Sequence, residues 1–160
     1  MSSEFSSSAK KVQEALMAFG LNCQMIEMQA TTRTAQDAAS ALGCQVAQIV
    51  KSLVFKGKKT QKLFLVLASG ANRVNTKTLR KIVSEPVQMA AADVVQETTG
   101  FAIGGVPPLG HTRKLKAFID EDLLKYKEVW AAAGTPNAMF KLAATDLQKI
   151  TGGQVISVTG

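Results

Sequence analysis

The chain has few of the residues that build disulfides, metal sites and membrane spans. Its 160 residues include two cysteines and one histidine. Cys23 and Cys44 do not form a C-x-x-C pair and no second histidine could complete a Cys/His site, so we expect reduced thiols, no metal and no cofactor. No segment approaches the ~18 apolar residues of a membrane span, and the Ser-rich start lacks the apolar stretch of a signal peptide. We therefore expect a cytoplasmic protein without a membrane partner.

Motifs of covalent catalysis are also absent. The sequence has no G-x-S-x-G elbow, and neither cysteine lies in a recognisable catalytic context, so an acyl-enzyme mechanism lacks a nucleophile. Asp120, Glu121 and Asp122 are interpreted as a solvated turn rather than as paired catalytic carboxylates. His111 is the one candidate base, since unperturbed imidazole titrates near neutrality, but a lone histidine is more often structural.

Positive charge exceeds negative charge and is clustered. Nineteen Lys and Arg residues against twelve Asp and Glu give a formal charge of +7, which favours polyanionic partners. The alternative is that the clusters are solvated faces. Aromatic residues are too few for a base-stacking surface, so phosphate contact is favoured over sequence reading. DNA is not expected as a partner. The clusters are Lys56, Lys58, Lys59 and Lys62; then Arg73, Lys77, Arg80 and Lys81; then Arg113, Lys114 and Lys116.

Hydrophobic spacing and capping residues predict an α+β domain. Helices are predicted at 8–20 with Ser8 as cap, 34–43, 76–84, 93–100 and from a cap at Thr145. Strands are predicted at 22–28, 49–55, 63–69, 115–119, 128–133, 138–143 and 155–158. Short links between strands favour a mixed, largely antiparallel sheet flanked by helices. We expect one domain over residues 1–160, with residues 1–7 as a flexible N-terminus.

Residues 100–111 form the most unusual stretch of the chain. They hold four of the twelve glycines, two of the four prolines and the only histidine. Gly104 and Gly105 allow close approach of a ligand to the backbone, while Pro107 and Pro108 stiffen the segment that follows. The stretch is interpreted as an active-site loop, and the alternative is a tight connection between two strands.

Lys51 is the strongest physical anomaly in the sequence. On a strand it shares one face with Ile49, Leu53 and Phe55, so an amine lies among large apolar side chains. It either extends from the strand into water or provides a fixed cation in a pocket, where it would pair with a phosphate or a carboxylate.

Three blocks of sequence together resemble a known family. They are residues 34–39 (TAQDAA), 48–55 (QIVKSLVF) and 104–111 (GGVPPLGH). In this order the blocks resemble the YbaK/ProX family of free-standing aminoacyl-tRNA editing deacylases, which are similar to the editing insert of bacterial prolyl-tRNA synthetase. The resemblance runs from about Thr31 to Val158. It implies a mixed sheet curved into a partial barrel and hydrolysis of the ester between a wrong amino acid and tRNA.

The resemblance also implies roles for individual residues. Lys51 would hold the terminal adenosine or its phosphate, and the amides of the 104–108 loop would bind the aminoacyl carbonyl. The substrate's own ribose hydroxyl and a bound water would replace a protein nucleophile. Ser69 would border the pocket, and the 134–137 turn is where specificity would vary. The implied catalytic residues are Lys51, Gly104 and Gly105, and the implied substrate contacts are Ser69, Val106, Pro107, Pro108, Gly110, His111 and Gly134.

Two functions remain open at this point. The first is trans-editing of mischarged tRNA, for which the favoured substrate is tRNA(Pro) carrying alanine, cysteine or a similar small residue and the candidate partner is an aminoacyl-tRNA synthetase. The second is a non-catalytic tRNA-binding or synthetase-associated module. Only the first requires Lys51 and the two glycines to be intact, and all three are present.

Overall fold

The computed structural model describes residues 6–28 and 34–160, and within them one eight-stranded sheet carries five helices. The helices are α1 (Ser7–Ala18), α2 (Ala35–Leu42), α3 (Thr76–Val83), α4 (Ala92–Thr99) and α5 (Asp146–Thr151). The strands are β1 (Met25–Glu27), β2 (Ile49–Gly57), β3 (Leu63–Ser69), β4 (Val87–Met89), β5 (Lys116–Asp120), β6 (Glu128–Ala132), β7 (Ala138–Ala143) and β8 (Gln154–Ile156). None of these helices has the length and hydropathy needed to cross a membrane.

The sheet is mixed and is centred on β2. Its strand order is β1-β7-β6-β2-β3-β5-β8, with β4 paired to β2. The pairs β1–β7, β2–β3, β2–β4 and β6–β7 are antiparallel, whereas β2–β6, β3–β5 and β5–β8 are parallel. The path does not return on itself, so the sheet is not a closed barrel. The predicted α+β class, mixed sheet and β2–β3 hairpin are confirmed.

Local capping chemistry sets several element boundaries. The Thr34 hydroxyl accepts the Asp37 N–H at 3.0 Å, and Gly43 ends α2 in the left-handed region at φ 71°. The Asn75 side chain accepts the Lys77 N–H at 2.9 Å and so caps α3. These are caps expected from sequence, because both side chains satisfy amides that have no partner within the helix.

Several predicted boundaries differ from the structure. Helix α1 is capped by Ser6, whose hydroxyl accepts the Ala9 N–H at 3.1 Å, rather than by Ser8. Of the predicted flexible segment 1–7, residues 1–5 lie outside the described residues and Ser7 begins α1. Helix α4 has Ala91 rather than Asp93 at its N-cap position, and it has no side-chain cap hydrogen bond. Strand β4 was not predicted, since three residues carry too little periodicity.

The two faces of β2 bury different clusters. Val50 and Val54 face the main core, which continues through β3, β6 and β7 to α1 and α5. On the opposite face, Phe55 packs in a cluster under α3, and Ile49 packs in a cluster with α2. Lys51 lies on this second face, between the two smaller clusters. The predicted alternation of β2 therefore places the amine at a gap in the apolar packing.

Candidate active site

A cavity of about 540 Å³ lies where the start of α2, the start of β2 and the 103–106 segment meet. Aliphatic side chains supply much of its surface. These are contributed by Ala38, Val46, Ile49, Val106 and Met139, among others. Among the described residues that line it, Lys51 is the only one with an ionisable side chain. The cavity is therefore an apolar site with a single cation.

The Lys51 ammonium is held by the protein rather than by bulk water. Its Nζ donates to the backbone carbonyl of Asn72 at 2.6 Å, and the side chain is half-buried. The pKa of Lys51 lies below its ordinary value because burial disfavours the charged amine and Arg73 repels it, while Asp120 partly offsets both effects. This geometry favours the fixed cation over a lysine that extends into solvent.

A buried carboxylate holds the Asn72 segment that receives Lys51. The Asn72 Nδ2 donates to Asp120 Oδ2 at 2.9 Å and to Asp122 Oδ2 at 2.7 Å. Asp120 is only 1% exposed, and its Oδ2 also accepts the Ser69 N–H at 2.9 Å. The predicted solvated turn at Asp120 is wrong, since this buried residue ends β5 and caps a short 3₁₀ helix over Glu121–Lys125. The available signal was a carboxylate directly after an apolar strand.

Asp122 is the partly solvated member of the same group. Its carboxylate pairs with Lys125 at 2.8 Å. The pKa of Asp122 lies below its ordinary value, first because Lys125 donates a hydrogen bond to the carboxylate and then because Asn72 does. The pair is exposed, so we assign it to orientation of Asn72 rather than to stability.

Ser52 is a lining residue that sequence analysis did not single out. Its hydroxyl is buried, and within residues 6–28 and 34–160 it has no hydrogen-bond partner. Buried polar groups normally find partners, so this hydroxyl, which lies on the Val50 and Val54 face of β2 and therefore opposite the Lys51 side chain, is an exception. Its place next to Lys51 in the QIVKSLVF block was the available signal.

The two glycines of the predicted loop have different environments. Gly104 lines the cavity with φ +93°, and a Cβ added there would meet nothing nearer than Pro136 at 3.7 Å. Gly105 is buried, its N–H donates to the Ala102 carbonyl at 3.0 Å, and an added Cβ would lie 2.8 Å from the Gly134 carbonyl oxygen. The Gly105 amide is therefore used within the loop, and Gly104 is the glycine at the cavity.

The second half of the predicted loop faces a different cavity. Pro108, Gly110 and His111 line a separate space of about 200 Å³, while Pro107 is buried. His111 Nε2 donates to the Pro107 carbonyl at 2.6 Å. Burial lowers the pKa of His111, the bond to Pro107 raises it in part, and Lys11 lowers it further. This arrangement favours the structural interpretation of the histidine.

Two further predicted contacts lie away from the main cavity. The Ser69 hydroxyl donates to the Ala47 carbonyl at 2.8 Å, and its buried side chain supports the end of β3. Gly134 packs against α1, since an added Cβ would lie 2.8 Å from the Ser8 carbonyl. Neither residue is among the described residues that line the cavity, whereas their neighbours Gly70 and Pro136 are. In each of the two turns a neighbouring residue, rather than the predicted one, therefore lies at the cavity.

Comparison with known proteins gives this geometry a context. Residues 29–150 match the sequence profile of the aminoacyl-tRNA editing domain family. The chain belongs to this family. A solved structure described as a candidate trans-editing enzyme for prolyl-tRNA synthetase superposes with a TM-score of 0.92 at 47% identity, over 98% of this chain and 99% of that one.

Two curated relatives share parts of the editing domain. A protein of Enterococcus faecalis described as a candidate Cys-tRNA(Pro)/Cys-tRNA(Cys) deacylase, EbsC, is 28% identical over 79% of this chain and 77% of its own length. The proline–tRNA ligase of Thermosipho melanesiensis is 31% identical over 64% of this chain but only 18% of the ligase. The matched residues of the editing domain include the whole cavity around Lys51 and Gly104, whereas α1 lies outside them.

Proposed function

We propose that this editing domain hydrolyses the ester that joins a wrong amino acid to tRNA. The observation that carries the proposal is the cavity itself. It combines the fixed Lys51 ammonium, the left-handed backbone of Gly104 and an apolar wall, and no described lining residue is a histidine, cysteine or carboxylate. A site with a cation and backbone donors but no nucleophile suits a reaction in which substrate and water supply the reacting groups.

The proposed reaction is a direct hydrolysis. Water, oriented by the ribose hydroxyl next to the ester, attacks the carbonyl carbon. The bond between that carbon and the ribose oxygen breaks, the ribose oxygen takes a proton, and the free amino acid and uncharged tRNA leave. Within the described residues the Gly104 N–H makes no backbone hydrogen bond, so we assign it to the developing oxyanion. The Gly105 N–H already donates to the Ala102 carbonyl, so we assign it no such role.

Lys51 is proposed to position the terminal adenosine rather than to transfer a proton. A compact ammonium with one donor bound to Asn72 keeps two donors for a phosphate or ribose oxygen. Lys51 would thereby fix the ester in reach of Gly104.

The proposed substrate is tRNA(Pro) carrying a small amino acid such as alanine or cysteine. Support comes from the names of the relatives, which refer to Cys-tRNA(Pro) and to prolyl-tRNA synthetase. It also comes from the aliphatic cavity wall, which can exclude larger or charged side chains. Action in the cytoplasm, with a synthetase as an occasional partner, follows from the same proposal.

The test is a panel of tRNAs, each charged with a labelled wrong amino acid. Loss of label is followed with the purified chain and with its Lys51→Met variant. Rapid release of a small amino acid from tRNA(Pro) by the native chain alone supports the proposal. Binding of the charged tRNA without release would instead indicate a non-catalytic tRNA-binding module.

A further inference from the structure

A second depression continues from the candidate active site along β2. It is an open groove of about 450 Å³. Lys51, Leu53 and Gly70 line both the groove and the cavity, so the two spaces meet at the lysine. The remaining groove residues are Phe55, Ala71, Asn72, Arg73, Val74, Thr76 and Met89.

The floor of the groove is apolar and its rim is cationic. Every second residue of β2 faces the groove, namely Lys51, Leu53 and Phe55. Phe55 pairs with Met89 on β4. The four residue-to-residue steps of strand from Lys51 to Phe55 span about 13 Å. Met89 is 53% exposed, which is unusual for a large apolar side chain next to a core cluster. Arg73 is exposed at the entry to α3, and no described groove residue is acidic.

From this geometry we infer that the groove binds the nucleotide that precedes the esterified terminal nucleotide of the RNA 3′ end. Its base lies against Leu53 and Met89, above the buried Phe55. The phosphate that links the two nucleotides lies where cavity and groove meet, between the Lys51 ammonium and the Arg73 guanidinium. The inference rests on the proposed function, since it extends the path of the RNA out of that site.

Continuity and charge favour this occupant over an apolar peptide. An RNA 3′ end whose ester occupies the cavity must leave past Lys51, and the groove is the described space that shares Lys51 with the cavity. A phosphate offsets two neighbouring cations, whereas an apolar peptide would leave Lys51 and Arg73 unpaired. Contact of a base with an apolar surface tolerates any base, so the groove would add affinity without reading sequence.

The experiment compares two minimal substrates that carry the same amino acid. One is the aminoacyl ester of adenosine and the other is the ester of the dinucleotide cytidylyl-adenosine. We expect kcat/KM to be at least about fivefold higher for the dinucleotide, because contacts of one additional base commonly have effects of this size. In Met89→Asp and Arg73→Gln the ratio of the two values should fall toward one.

Arg80→Gln is the matched control for Arg73→Gln. Arg80 is an exposed arginine on α3 that does not line the groove, so the same loss of charge should leave the ratio unchanged. Equal kcat/KM for both esters in the native chain, or a dinucleotide advantage that persists in both groove variants, would overturn the inference.

Calorimetric titration with uncharged adenosine and cytidylyl-adenosine separates this inference from the proposed function. Tighter binding of the dinucleotide that is lost in Arg73→Gln but kept in Arg80→Gln supports the groove even if no ester is hydrolysed. Turnover of charged tRNA with equal affinity for the two ligands would leave the deacylase proposal standing and reject the groove.

Discussion

The role of Lys51 can be inferred from the group that its ammonium contacts. A lysine that only extended into water would have no fixed partner, yet Lys51 Nζ donates to Asn72 O at 2.6 Å. Asn72 in turn is held by Asp120, a carboxylate that is 1% exposed. Lys51 is therefore a positioned cation, and its removal should affect function more than folding.

Lys51→Met should leave the protein as stable as the native chain or more so, and should abolish deacylation. Methionine keeps the packing of the stem and removes a partly buried charge that costs desolvation energy. Lys51→Arg should restore little activity, because a planar guanidinium does not replace a compact ammonium. Thermal unfolding beside single-turnover deacylation measures both effects, with Lys56→Met on the opposite strand face as control. Near-normal turnover in Lys51→Met would remove the residue from the site.

His111→Ala should keep activity within about tenfold of the native chain, since loss of a general base would lower the rate by a factor of ~10²–10⁴.

The same variant should change how stability depends on pH. The pKa of the folded-state imidazole lies below its ordinary value of 6.5, because the ring is buried. The stability that depends on the neutral ring is therefore present above pH 6.5 and is lost as the pH falls through the folded-state pKa. Native and variant stability should therefore converge in acid. Urea unfolding at several pH values and steady-state kinetics test this, and a loss of activity beyond a thousandfold with the fold intact would restore a catalytic role.

The glycine loop and the β2–β3 hairpin are elements whose geometry depends on distant contacts. The loop is fixed by the turn at 134–137, against which Gly105 packs. The hairpin is fixed by Glu85, a buried carboxylate from the segment before β4. Its Oε1 accepts the N–H groups of Lys59 and Thr60 at 2.8 and 2.9 Å, and its Oε2 accepts the Thr60 hydroxyl at 2.6 Å.

Valine at the two loop glycines should act in different ways. Gly104→Val has space for its side chain but strains the backbone at φ +93°, at a cost of roughly 1–3 kcal/mol, and it obstructs the cavity. Its loss of turnover should exceed its loss of stability. Gly105→Val would push against the Gly134 and Thr135 backbone at 2.8 Å and should mainly destabilise. Denaturant unfolding and single-turnover rates distinguish them, and full activity in Gly104→Val would remove the loop from the mechanism.

Glu85→Gln should destabilise the protein at neutral pH and much less in acid. Hydrogen bonds from Thr60 and then Lys59 hold the pKa of the Glu85 carboxyl below its ordinary 4.5. The stabilisation of the fold by the ionised Glu85 carboxylate is therefore present above pH 4.5 and is lost as the pH falls through the folded-state pKa. Urea unfolding of the native chain and variant across this range measures it, with exposed Glu97→Gln as control. An equal difference in stability at all pH values would contradict the assignment.

At the scale of the whole molecule, the three basic clusters form no ion pair within the described residues. The ion pairs within residues 6–28 and 34–160 join Lys125 to Asp122 and Lys141 to Glu128, and neither involves a cluster residue. The +7 charge is therefore available to a polyanion. That residues 1–160 form a single domain stays a prediction.

Deacylation should weaken steadily as salt rises. Each phosphate neutralised by Lys or Arg releases counterions, so log(kcat/KM) should fall linearly with log[salt], by a slope of about −0.7 to −0.9 per contact. Reversal of charge at Lys58 and Lys59 should act through KM and reduce the slope, because these side chains would bind ground and transition states alike. Kinetics over a salt series check this, and a flat profile would show that the clusters do not hold tRNA.

The sequence by itself determined most of the elements, the sheet class and the family. Caps such as Thr34 and Asn75 and the alternation of β2 are local, since they depend on side chains a few residues apart. Which of the candidate site residues line the same cavity was decided by the tertiary structure alone. Lys51 and Gly104 lie 53 positions apart yet border one cavity, whereas His111, seven residues beyond Gly104, faces another. Asp120 and Glu85 were missed for the same reason: burial and hydrogen-bond partners depend on packing between distant segments, which no local pattern records.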